Sequence, residues 1–462
     1  MLELFSSGLI SLWLEMAGAS PKASGVTAAA QPAAAGNPVG DSVDLVAWQA
    51  DPWRLLTGAP DPSTENAVEQ YLKGLAAKGW TTANQGIWIQ SGPLPLANHQ
   101  GTTPLPAASL TKIATSLAAL ETWGPTHQFE TLIGATGPIQ NGVLQGDLVI
   151  YGTGDPFFVW EEAIAVGNSL NQMGISRVTG NLIITGSFAM NYESDPTLAG
   201  TLLKQGLNSA IWPEEAKAQY LTLPKGTPQP KVAIDGAVQV GADGRTPALL
   251  IPRQIVLLRH QSLPLAQILK HMNIYSNNLM AEMLASSVGG AQVVAQKAAA
   301  AAGVPPEEIQ LINGSGLGPE NRLSPRAVYG MLMAIQRYLQ PHHITIADLF
   351  PVSGRDQGTL IDRRIPPASV VKTGTLWDVS ALAGVMPTRD RGLVWFVIIN
   401  RGEDVESLRA QQDTLLQTLV NQWGMAPTLP IAIAPTPGIN NELVTLGAAM
   451  RNQILYNQNS RG

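Results

Sequence analysis

Residues 369–399 read SVVKTGTLWDVSALAGVMPTRDRGLVWFVII. Three short strand signals stand out, at 369–375, 379–386 and 393–399, each of the length of a strand and rich in Val, Ile or Thr or in apolar residues. The turn residues between Pro387 and Gly392 predict that the last two pair as an antiparallel hairpin. Side chains alternate faces along a strand, so Ser369 and Lys372, three apart, point to opposite sides. The run Lys372-Thr373-Gly374-Thr375 then places one cation and two hydroxyls around a glycine. Thr373 and Thr375 can hydrogen-bond a carboxylate, Lys372 adds positive potential, and Gly374 lets another chain lie close. A strand edge of this kind can bind an extended peptide by adding it to the sheet.

Two earlier stretches supply complementary groups. Leu110, Ile113, Leu117 and Leu120 recur at helical spacing, which predicts a helix starting at Ser109. Ser109 and Lys112 share one face of it. The first turn of a helix favours developing negative charge, so Ser109 suits a nucleophile. The same positive end, with Lys372 nearby, should lower the pKa of Lys112 and make it a base. Ser276 and Asn278 sit at a loop-to-helix junction before Leu279-Met-Ala-Glu-Met-Leu284. There the serine can relay a proton and the asparagine can hold a carbonyl. Each pattern has an ordinary alternative: a capping serine, a solvated lysine, an N-cap, an exposed edge strand. Copies occur elsewhere, at Ser169-Leu170-Asn171 and at Ser369/Lys372, the latter excluded as a nucleophile–base pair by its strand.

Composition narrows the choices. The chain has 462 residues, 45% apolar and 13% charged, with a net charge of −6, which describes folded domains and no nucleic-acid partner. Cysteine is absent, which removes thiol nucleophiles, disulfides and thiolate metal sites. The six histidines lack metal-binding spacing, and no cofactor motif is present, so no metal and no cofactor are expected. Leu4 to Leu14 has the length of a signal-peptide core, with Ala17-Gly18-Ala19 as a cleavage-like site, but Glu3 and Glu15 flank it and no Lys or Arg precedes it. A helix docked on the domain or on a membrane surface is the alternative.

Further elements follow from the same rules. Helices are expected near 62–78, 160–173, 264–287, 293–302, 325–338 and 404–423, and strands at 86–90, 147–151 and 181–185. Residues 191–250 are only weakly patterned, and a short amphipathic helix is expected near 441–456.

The three motifs occur in the order, and on the elements, of the serine β-lactamases and penicillin-binding proteins. The chain resembles the low-molecular-mass class C penicillin-binding proteins, the D-alanyl-D-alanine carboxypeptidases/endopeptidases. The resemblance extends to Gly146-Asp147-Leu148 with Gly152-Thr-Gly-Asp155-Pro156, to Asn313-Gly-Ser-Gly-Leu317 with Asn321 to Arg326, to Gly354 to Leu360, and to Val379 to Gly384. It implies an α/β (α+β) fold: a transpeptidase-like antiparallel sheet flanked by helices (62–128 and 262–424), with a smaller α/β domain inserted at 129–261. Residues 1–19 are expected to be signal-like, 20–61 a linker and 425–462 a C-terminal tail.

By the same resemblance, Ser109 is the acylated nucleophile, Lys112 its base and Ser276 the proton relay, with Asn278 and Lys372 positioning and polarising. The N–H groups of Ser109 and Thr375 form the oxyanion hole, and Thr373, Gly374 and Thr375 bind the carboxylate end of a D-Ala-D-Ala stem peptide. The implied partners are peptidoglycan and β-lactams, in a periplasmic or extracytoplasmic setting, with peripheral membrane association left open. Two departures stand out. The 163 residues between Lys112 and Ser276 are too few for both domains that the family inserts there, and Asn313 replaces the family's usual Asp. A β-lactamase, which would need fast deacylation, for which class A enzymes use an extra glutamate, and a non-catalytic peptidoglycan-binding scaffold are the rival expectations. No Glu-x-x-Leu-Asn segment is present to supply that glutamate.

Overall fold

In the computed structural model the described residues are 61–241, 255–437 and 444–456. The expectations for 1–19 and 20–60 lie outside them. The three runs of 369–399 form strands Val370–Leu376, Val379–Thr388 and Gly392–Arg401. They build a five-stranded antiparallel sheet in the order 370–376, 379–388, 392–401, 85–91, 94–99.

Both faces of this sheet are buried, and the alternation along the strands sorts the side chains. Trp395, Val397 and Ile399 join one core with Ala381 and Ala383, whereas Val394, Phe396 and Ile398 join another with Leu382 and Met386. The second core is closed by the helices Pro62–Ala77 and Val405–Trp423, through Val68, Tyr71 and Leu75 on one and Leu408, Leu415 and Leu419 on the other. Their ends follow the sequence signals. Asp61 accepts the Thr64 N–H ahead of Pro62, and Asp404 accepts that of Ser407.

The first core lies under the helices Thr111–Trp123, Leu265–Tyr275, Asn278–Val288, Ala291–Ala302 and Pro325–Leu339. Small residues at Ala381 and Ala383 on this face leave room for the turn that carries Ser109. The expected helix over 264–287 is broken at Ser276, which caps the first half in a left-handed conformation (φ 53°), while Asn277 caps the second by accepting the Met280 N–H.

The chain leaves this helical layer at Phe129 and returns at Ser262. The two are joined by the Ser262 N–H donating to the Phe129 carbonyl (2.9 Å) and the Phe129 N–H donating to Ser262 Oγ (2.9 Å). Between them lies a six-stranded sheet in the order 238–240, 182–187, 148–153, 130–135, 255–261, 452–454. Its first three strands are parallel, with helix Trp160–Gln172 crossing between 148–153 and 182–187. A small four-stranded sheet and a separate apolar core complete this unit. The weakly patterned 191–250 stretch holds helices Pro196–Gly206 and Glu214–Tyr220.

The tail differs from expectation. Among its described residues, 444–456 form no α-helix; Asn452–Ile454 instead add an antiparallel strand beside Ile255–Gln261. Arg451 explains this. It is 2% exposed and donates to Glu162, to the Gln261 carbonyl and to the Thr445 carbonyl, which pins the segment into the inserted unit. A helical apolar spacing carries no information about such a tether. No helix of the described residues is long and apolar enough to cross a membrane.

Candidate active site

Ser109 sits in a tight 3₁₀ turn, Ala108–Leu110, which leads directly into the helix Thr111–Trp123. Ala108 has φ 48°, a left-handed conformation uncommon outside glycine, so the turn holds local strain next to Ser109. The turn is held from three sides. The Ala107 N–H donates to the Asn321 carbonyl (3.0 Å), and the short strand Leu105–Pro106 pairs with Arg322–Leu323. On the far side Gly374 packs so closely that a Cβ there would lie 2.8 Å from the Ala107 oxygen and 3.1 Å from the Ser109 nitrogen. The glycine between Thr373 and Thr375 therefore lets the strand edge meet the nucleophile.

Lys112 is fully buried, and its ammonium has three oxygen partners: Ser109 Oγ at 2.9 Å, Asn278 Oδ1 at 2.8 Å and the Ser315 carbonyl at 2.8 Å. Two of these are carbonyl oxygens, which only accept. When Lys112 is neutral its two N–H bonds satisfy them, and its lone pair is left facing the one partner that carries a proton, Ser109. Burial lowers the pKa of Lys112 from 10.5 to about 7, opposed by the charge of Glu282. The helix dipole and Lys372 are the causes expected from sequence. Desolvation is instead the principal cause.

The loop Asn313-Gly-Ser-Gly-Leu317 completes the floor. Glu282 accepts the N–H groups of Gly314 (3.0 Å) and Ser315 (2.9 Å), which fixes the Ser315 carbonyl that Lys112 uses. Asn313 Oδ1 accepts the Gly316 N–H (2.8 Å) and its amide donates to the Leu317 carbonyl (2.6 Å), so Asn serves here where the family usually has Asp. Neither Glu282 nor Ser315 was singled out as a site residue from the sequence. Only the segment similarity around Asn313 pointed near them.

Lys372 is 1% exposed and donates to Ser276 Oγ (2.9 Å) and to the Thr373 carbonyl (2.7 Å). Burial, then the nearby charge of Lys112, pushes its pKa well below the ordinary lysine value. Ser276 therefore stands against one lysine and Asn278 against the other. Ser109, Ser276, Asn278, Thr373 and Thr375 all line one cleft of about 990 Å³. Thr373 Oγ1 is 2.8 Å from Thr359 Oγ1, and Thr375 Oγ1 accepts from Arg409 Nη2 at 2.8 Å; sequence reading missed both partners. The duplicate motif copies lie elsewhere. Ser169 bonds the Ala165 carbonyl within its own helix, and Ser369 ends the loop before the Lys372 strand.

A Ser-x-x-Lys pair opening a helix, Ser-x-Asn between two helices and Lys-Thr-Gly on the sheet edge define the acyl-serine class shared by penicillin-binding proteins and serine β-lactamases. Within that class the chain belongs to the D-Ala-D-Ala carboxypeptidase 3 (S13) family, whose pattern matches residues 69–208 and 244–422. A carboxypeptidase of Mycobacterium tuberculosis is 28% identical over 338 residues, covering 64% of this chain and 71% of the relative. The D-alanyl-D-alanine carboxypeptidase of an Actinomadura species is 24% identical over 469 residues, covering 80% and 86%. Among solved structures, the penicillin G-acylated predatory endopeptidase of Bdellovibrio bacteriovorus superposes with a TM-score of 0.64 at 20% identity, covering 73% of this chain and 92% of that one.

Proposed function

We propose that this protein is a serine D-Ala-D-Ala carboxypeptidase that works through an acyl-enzyme on Ser109. The observation that carries the reading is the Lys112 arrangement: a buried amine 2.9 Å from Ser109 Oγ whose other two partners are carbonyl oxygens.

Neutral Lys112 takes the Ser109 proton as Oγ attacks the carbonyl between the two D-alanines. The N–H groups of Ser109 and Thr375 stabilise the resulting oxyanion. As the C–N bond breaks, Ser276 passes its proton to the leaving amine and regains one from Lys372, and the proton that Lys112 took from Ser109 replaces it, so that Lys112 is neutral again. The carboxylate end of the substrate lies over Gly374, against the hydroxyls of Thr373 and Thr375. Water then attacks the Ser109 ester, giving a proton to Lys112; as the C–Oγ bond breaks, Lys112 returns that proton to Ser109 Oγ, and the shortened stem peptide is freed. A β-lactam carries its acyl carbonyl and carboxylate in the same relation and acylates Ser109.

In this reading the catalytic domain is 62–128 with 262–424, and 129–261 is an inserted domain. The apolar core of 129–261, distinct from the two that flank the five-stranded sheet, supports that division. The substrate is peptidoglycan, so the protein works outside the cytoplasm, and Leu4–Leu14 serves in export or in peripheral attachment to the membrane surface.

The test is incubation with a fluorescent penicillin, using wild type and Ser109→Ala. A stable adduct on wild type alone is expected. Rapid turnover of the drug would indicate a β-lactamase, and no adduct would remove both enzymatic readings in favour of a binding scaffold.

A further inference from the structure

The cleft holding Ser109 continues past the three motifs. It runs between the loop 358–364 and one stripe of the helix Val405–Trp423 that includes Glu406, Arg409, Asp413 and Gln417. Lys372 is the cation that sequence alone placed at the carboxylate end, but its ammonium is buried against Ser276 and the Thr373 carbonyl. Strand alternation also sends its side chain to the face opposite the Thr373 and Thr375 hydroxyls.

The cation that touches those hydroxyls is Arg409. Its Nη2 donates to Thr375 Oγ1 at 2.8 Å. Because Thr375 accepts this bond, its own proton remains available for an incoming anion. Arg409 Nη1 pairs with Glu406, and the two side chains are 31% and 77% exposed, so the pair faces solvent in the cleft. Arg409 lies in the first turns of its helix, where the aligned N–H groups add positive potential. Arg363 also lines the cleft, but it is 6% exposed and its guanidinium is occupied by Asp413 and Gln412. Arg364 lines the cleft as well, with its backbone held at both ends: its N–H donates to Asp413 and its carbonyl accepts from Gln417 Nε2.

We propose that Arg409 reads the free carboxylate of the leaving D-amino acid together with the Thr375 hydroxyl. Glu406 holds the guanidinium in place until substrate arrives. A guanidinium fork matches a carboxylate in two parallel hydrogen bonds, which a buried ammonium cannot offer from Lys372. The inference rests on the acyl-serine peptidase reading of the same site and assigns its specificity: substrates are selected for a free carboxylate one carbon from the scissile bond.

The test uses an acyl-D-alanyl thioglycolate thioester, which carries that carboxylate, and its methyl ester, which does not. Both are activated, so thiol release is measurable for each. In Arg409→Gln, kcat/KM for the carboxylate substrate should fall about 10- to 100-fold, the range of a lost charge-assisted hydrogen bond. The methyl ester should stay within about twofold of wild type. Arg409→Lys should recover part of the loss, and Arg364→Gln should behave as wild type. Equal loss on both substrates, or no loss on the carboxylate one, overturns the role of Arg409 while leaving Ser109 chemistry intact. If wild type forms no penicillin adduct and cleaves neither thioester, the peptidase reading falls, and this inference with it.

Discussion

Two glycines with nearly the same positive φ separate strain from contact at the nucleophile. Gly316 has φ +83° and Gly79 has φ +86°. Replacing either by alanine imposes the same left-handed penalty, about 1 kcal/mol. At Gly79 a Cβ meets nothing within 4 Å, so that penalty is the whole effect. At Gly316 the Cβ would lie 1.9 Å from the Ala108 carbonyl oxygen and 2.7 Å from Thr111 Oγ1. The Ala108 oxygen is backbone, in a strained residue beside Ser109, and cannot swing aside. Relief must come from displacing the Ser315–Gly316 segment, which draws the Ser315 carbonyl away from Lys112. Overpacking of this kind costs about 1–3 kcal/mol beyond the φ term, so Gly316→Ala should lose about 2–4 kcal/mol against about 1 kcal/mol for Gly79→Ala. The lost hydrogen bond to Lys112 should also slow acylation about 10- to 100-fold at Gly316 and leave it unchanged at Gly79. Denaturant unfolding and the rate of labelling by fluorescent penicillin measure the two effects. Equal destabilisation of the two variants, or labelling of Gly316→Ala at the wild-type rate, would refute the argument that this contact sets the Ser109 geometry.

The pH dependence follows from Lys112. Acylation should rise with pH and level off above about 7, where its amine becomes neutral, as read from labelling rates across pH. Its folded pKa of about 7 lies below the ordinary 10.5, so between those values the unfolded chain holds a proton that the folded chain has released. Stability contributed through this residue therefore rises with pH in that window, by up to about 1.4 kcal/mol per pH unit, and Lys112→Met should remove that slope. An unchanged slope would refute the depressed pKa. In the inserted unit, Arg451 and Glu162 are paired at 1% exposure each. Arg451→Met should cost about 3–5 kcal/mol by stranding the Glu162 carboxylate, and adding Glu162→Gln should recover most of it. A single variant that unfolds at the wild-type denaturant midpoint would contradict this.

Much of the fold was legible because its signals are local. The strands 379–388 and 392–401 are largely apolar because both sheet faces are buried, and the turn residues between them fix the pairing. The helices Pro62–Ala77 and Val405–Trp423 announce themselves by caps and by one apolar stripe each. The tail misled for the complementary reason. Its strand is held by a buried ion pair 289 residues apart in sequence, and no periodicity encodes such a partner.

The site divides in the same way. Sequence by itself determined the chemistry-bearing motifs, because Ser109 with Lys112, Ser276 with Asn278, and Lys372 to Thr375 each act within one turn or one strand. Tertiary structure alone decided what surrounds them. Ser315 reaches Lys112, Glu282 fixes the loop that carries Ser315, and Arg409 reaches Thr375, only after elements distant in sequence pack together. The depth of burial that depresses Lys112 is likewise a property of the assembled core. Spacing along a chain can name a nucleophile and its base, but a desolvation penalty and a partner across a cleft exist only once the chain has folded.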